Sequence, residues 1–88
     1  MDDAPDSYRA CRDAMRAAIT QYRADLAVEA QRFSVQIGTL PHSARRGTKA
    51  HAARAAAWAA HAAREQEIEA AYTAALDRSV SIRDGVGA

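Results

Sequence analysis

From Asp6 to Ile37 the chain places an apolar residue every three or four positions: Tyr8, Cys11, Met15, Ile19, Tyr22, Leu26, Ala30, Phe33 and Ile37. At about 100° per residue these side chains fall in a sector roughly 100° wide, the width of a helix stripe that faces a core. Neither glycine nor proline interrupts the run. The pattern predicts one amphipathic helix over about residues 6–37. Asp2, Asp3 and Asp6 place negative charge at its start, where the helix dipole favours it. Asp3, Asp6 or Ser7 suits the N-cap, and Pro5 is tolerated in a first turn. At the other end Gly38 suits a C-cap, and Leu40 precedes Pro41, which disfavours helical backbone there.

Residues 38–47 hold two glycines and a proline and read as a connection. Thr48 suits the N-cap of a second helix over about residues 48–83, which is alanine-rich and therefore strongly helix-forming. Its stripe of Trp58, Ile68, Tyr72, Ala75 and Leu76 is clear only in the C-terminal half. Two helices of matched length and a short connection predict an all-α fold, an antiparallel helical hairpin forming a single domain over residues 1–88, with a flexible C-terminal tail.

The hairpin is not expected to be the finished object. Of 88 residues, 24 are alanine and only 18 carry a large apolar side chain, a thin core for a chain of this length. Between Pro41 and Glu67 the one large apolar side chain is Trp58. The first helix also has a second apolar line almost opposite the first: Ala10, Ala17, Ala24, Val28 and Val35. A helix apolar on two sides usually has neighbours on two sides. Val28, Val35 and Trp58 are therefore candidate interface residues. The expected assembly is a homo-oligomer closing a four-helix bundle, or a complex with another protein.

Charge is distributed in blocks. The formal net charge is +1, yet residues 30–64 contain Arg32, Arg45, Arg46, Lys49, Arg54 and Arg64 and no acid. The flanking segments are net acidic. Arg45, Arg46 and Lys49 cluster at the connection and second-helix start, and Arg54 and Arg64 continue along the helix. Such a block can grip a phosphate backbone by charge, or anchor a protein interface, where arginine is enriched. A helix-turn-helix built on Gly38 fails, because Pro41 and Gly47 would break its second helix.

Chemistry-bearing residues are few. The single cysteine, Cys11, excludes an intrachain disulfide and a Cys-based zinc site, and fits a reducing, cytoplasmic setting. It lies on the main stripe, beside Arg9 and Arg12, and reads as a buried structural thiol. His61 and Glu65, four apart, share a face with Arg54 and Trp58. They read as a polar pair, either on a solvated edge or buried to fix register. The alternative use is a metal centre recruiting Glu29 from the first helix. The Glu-x-x-His pairs of a di-iron bundle are absent, and no metal or other cofactor is expected.

There is no Gly-rich phosphate loop and no nucleophile elbow, so no catalytic residue is assigned and no enzyme is expected. No apolar run reaches the ~18 residues of a membrane span, and the basic segment lacks the bulky apolar residues of a membrane-surface helix. The expectation is a small non-catalytic interaction protein, an adaptor, assembly component or inhibitor, that binds another protein through its helix faces and arginine-rich tip. The alternative is a dimeric nucleic-acid-binding accessory protein using segment 30–64.

Overall fold

The computed structural model describes residues 4–42 and 45–84. Two helices, α1 (Ala4–Gly38) and α2 (Lys49–Asp84), run antiparallel along their whole lengths. Each is about 50 Å long at 1.5 Å per residue. The fold is the expected all-α hairpin, with helix ends within one or two residues of those read from the pattern.

The ends form for partly different reasons from those expected. α1 begins at Ala4, so Pro5 lies in the first turn as expected, whereas Asp6 and Ser7 are already helical and cannot cap it. The third candidate, Asp3, lies outside the described residues. Gly38 is the last helical residue, but it is not the left-handed cap expected of it. Its φ is negative, and the turn closes through Thr39 N–H to Gln36 O at 3.2 Å and Leu40 N–H to Ile37 O at 3.2 Å. The Thr39 hydroxyl adds a bond to the Gln36 carbonyl at 2.7 Å. Gly47 is the glycine that needs its freedom: at φ +87° it turns the chain into α2. Thr48 caps α2 as expected, its Oγ1 accepting from His51 N–H at 3.2 Å.

Register is set by three contacts. Tyr22 stacks on Tyr72 with ring centroids 4.4 Å apart, Glu29 meets His61, and Phe33 packs on Trp58 at 4.6 Å. Each step along α1 thus matches a step back along α2.

The most buried positions are small or polar. Cys11, Ala18 and Glu29 lie at the centre of the α1 contact, and Ala57 and Ser79 at the centre of the α2 contact. This corrects the expected core. Ile19, Tyr22, Leu26, Phe33 and Ile37 are only half-buried, and Tyr8, Met15 and Ala30 are exposed. The reason is geometric: α2 approaches one edge of the α1 stripe, where alanine, cysteine and serine permit close contact, and the larger side chains lie beside the contact line.

Candidate functional site

Midway along the hairpin a polar cluster crosses from helix to helix. Glu29, 5% exposed, accepts two bonds from the guanidinium of Arg32 one turn on: Nε to Oε1 at 2.9 Å and Nη2 to Oε2 at 2.6 Å. This bidentate fork is the geometry in which arginine binds a carboxylate most firmly. From α2, His61 Nδ1 reaches Glu29 Oε2 at 2.9 Å. An ionised carboxylate only accepts, so Nδ1 carries the hydrogen in this contact. His61 Nε2 lies 3.5 Å from Glu65 Oε2, and Arg64 Nε lies 3.8 Å from Glu29 Oε1.

Burying a carboxylate is costly unless it is paired and hydrogen-bonded, and Glu29 is both. The Arg32 hydrogen bonds, working against burial, hold its carboxyl down to about 2, with the His61 bond and the charges of Arg32 and Arg64 adding to the effect. The Glu29 bond in turn raises the Arg32 guanidinium above its ordinary value. Phe33 stacks on the His61 ring with centroids 4.2 Å apart and planes at 17°, closing one side. Trp58 meets Phe33 edge-on at 63°.

Spacing along the chain pairs His61 with Glu65 and offers Glu29 as a third member only for a metal centre. The structure brings all three together but binds Glu29 to Arg32. Among the described residues no group of three or more His, Cys, Asp and Glu side chains is arranged to hold a metal ion. The role of Arg32 was not read from the sequence. Its signal was available, since Glu29 and Arg32 are three apart on one helix face.

The five basic residues singled out in the sequence divide into two kinds. Arg45, Arg46 and Lys49 are exposed at the hairpin tip. Arg54 donates from Nη1 to the Pro41 carbonyl at 3.1 Å and ties the connection to α2. Arg64 belongs to the edge of the Glu29 cluster. The tip that faces solvent is thus narrower than segment 30–64.

The expected interface residues also divide, onto two opposite faces. Trp58 is 54% exposed and lies on the side of Phe33, Leu26 and Met15. Val28 and Val35, 70% and 60% exposed, lie on the other side. There Val28 borders a groove with Asp25, Arg64 and Ile68. Cys11 is buried as expected, with its sulfur 3.9 Å from that of Met15.

No family model, curated protein or solved structure matches this chain. What the chain can do follows from its own side chains: a salt-bridged hairpin with a cationic tip and exposed apolar side chains on two faces. No described helix is long and apolar enough to cross a membrane.

Proposed function

We propose that this chain is a small non-catalytic interaction protein that binds another protein through its helix faces and its arginine-rich tip. One observation carries this reading: the larger apolar side chains lie outside the core. Tyr8, Met15, Val28, Val35 and Trp58 are all exposed, while the buried apolar residues are Cys11, Ala18 and Ala57. Exposed apolar groups rimmed by charge mark an interaction surface. Arg45, Arg46 and Lys49, free of acidic neighbours in sequence, supply the cationic anchor.

The tip also suits a phosphate backbone, and one comparison separates the two partners. The chain and its Arg45→Ala/Arg46→Ala variant are used for affinity capture from cell extract, and both are titrated against duplex and single-stranded oligonucleotides at several salt concentrations. The expected result is a captured protein that the variant fails to hold, with no oligonucleotide binding at low salt. Oligonucleotide binding that weakens with salt, by roughly 0.9 in log–log slope per phosphate contacted, would overturn it in favour of nucleic acid.

A further inference from the structure

We propose that two copies of this chain pack head to tail through the Trp58 face, closing a four-helix bundle with one arginine tip at each end. This deepens the reading above by naming a partner for one of the helix faces, and it rests on that reading only in treating the face as a binding surface.

The first ground is the offset between the apolar stripes and the contact they make. On α1 the buried centre is Cys11, Ala18 and Glu29, yet Tyr8, Met15, Leu26 and Phe33 all lie on the same side of it. On α2, Trp58 and Leu76 are displaced from Ala57 and Ser79 toward that same side of the hairpin. In a four-helix bundle each helix touches two neighbours about 90° apart, so its apolar centre lies about 45° from either contact. Both helices carry that offset, and both point it at the Trp58 face.

The second ground is size. Two helices of about 50 Å side by side, in a hairpin 18 Å wide, present a face of roughly 900 Å². A stable protein interface needs roughly 800 Å² from each partner.

Self-complementarity identifies the occupant as another copy. α1 runs from Ala4 to Gly38 and its midpoint is Gln21. Reversing the helix about a point next to Gln21 lays Tyr8 on Phe33, Met15 on Leu26 and Ile19 on Tyr22. An antiparallel α1–α1 contact therefore matches large apolar side chains along the whole helix and keeps the helix ends level. A two-fold axis at that point makes the contact isologous, the commonest form of dimer. On the α2 side of the face, Glu65 and Glu69 lie between Trp58 and Leu76 and line a groove with Tyr22 and Leu26, so the α1–α1 contact carries most of the apolar match.

Charge decides the direction. Side-by-side packing would bring Arg45, Arg46 and Lys49 of both copies together at one end. Head-to-tail packing separates the two tips by the length of the bundle. The opposite face is a poorer seam, because its exposed apolar side chains are only Val28, Val35 and Ile82, set among Arg32, Arg64 and Arg78.

The test uses the whole chain. Sedimentation velocity across the micromolar range is expected to give a dimer. Emission from Trp58, the only tryptophan, is expected to be that of a covered indole and to move to the red on dilution. Met15→Glu should yield a helical monomer, and Val28→Glu should remain a dimer. If Met15→Glu loses helicity, Tyr8→Glu replaces it, since Tyr8 is 65% exposed within the hairpin. Spin labels introduced by Arg46→Cys in a Cys11→Ser background should lie at least about 50 Å apart, the length of the helices. A monomer throughout, a dimer that survives the Trp58-face variants, or labels closer than half that length each overturns the proposal. A monomer whose tip still captures a protein sinks this inference alone. A dimer whose tip captures nothing sinks the proposed function alone.

Discussion

Glu29 and His61, thirty-two residues apart, meet at 2.9 Å across the hairpin and are the one directly hydrogen-bonded side-chain pair joining the two helices among the described residues. Their neighbours make this a register device. Arg32 satisfies the carboxylate, Phe33 covers the imidazole, and a slip of one residue would leave Glu29 buried without its α2 partner. Alanine-rich packing discriminates poorly between registers. The buried Glu29–His61 contact adds to the discrimination of the Tyr22–Tyr72 and Phe33–Trp58 pairs, as polar residues do in coiled-coil seams.

Acid should loosen the hairpin. The Glu29 carboxyl is held at about 2, below its ordinary 4.5. A lowered value contributes stability that is present above about 4.5 and is lost as pH falls toward 2. Melting temperature followed from pH 5 downward should fall through that window. Glu29→Gln should flatten the profile there, and an unchanged slope in that variant would place the acid sensitivity elsewhere.

Close helix approach depends on small residues at Ala57 and Ser79, the latter 0% exposed. Ala57→Leu or Ser79→Leu should each destabilise the hairpin by about 1–3 kcal/mol through overpacking. Ser79→Ala adds no volume and removes the bond from its hydroxyl to the Leu76 carbonyl, a loss of about 1 kcal/mol. Urea titration gives both values, and a larger loss for alanine than for leucine would reverse the assignment.

Tyr22 and Tyr72 stack at 4.4 Å. A double-mutant cycle with Tyr22→Ala and Tyr72→Ala should return a coupling of about 0.5–1.5 kcal/mol. Additive losses would mean the rings pack independently.

Phe33 touches both Trp58 and His61, whereas Leu26 lies only beside the contact line. Phe33→Ala should cost about 3 kcal/mol and Leu26→Ala about 2 kcal/mol, toward the low end for core truncations because both are half-buried. Equal melting temperatures for wild type and Phe33→Ala would remove Phe33 from the contact.

The two glycines of the connection should respond with opposite signs. Gly47 has φ +87°, so Gly47→Ala is strained although no atom lies within 4 Å of the new Cβ, and should cost about 1 kcal/mol. Gly38 is helical with open space around it, so Gly38→Ala should stabilise by about 0.5–1 kcal/mol. Thermal melts of the two variants should move in opposite directions.

Much of this architecture was legible along the chain. Helix lengths, the connection and the Thr48 cap are local consequences of periodicity, glycine and proline placement and capping chemistry. Those terms act within a few residues and need no knowledge of what packs where. The core was not legible in the same way. The widest apolar stripe marks every direction a helix turns away from water, not the direction of its first neighbour. Pairing drew on the small residues at the stripe edge, leaving Tyr8, Met15 and Trp58 outside and Glu29 within. Nor does spacing show that Arg54 ties the connection or that Glu29 meets His61, because those contacts join residues that only the register of two helices brings together.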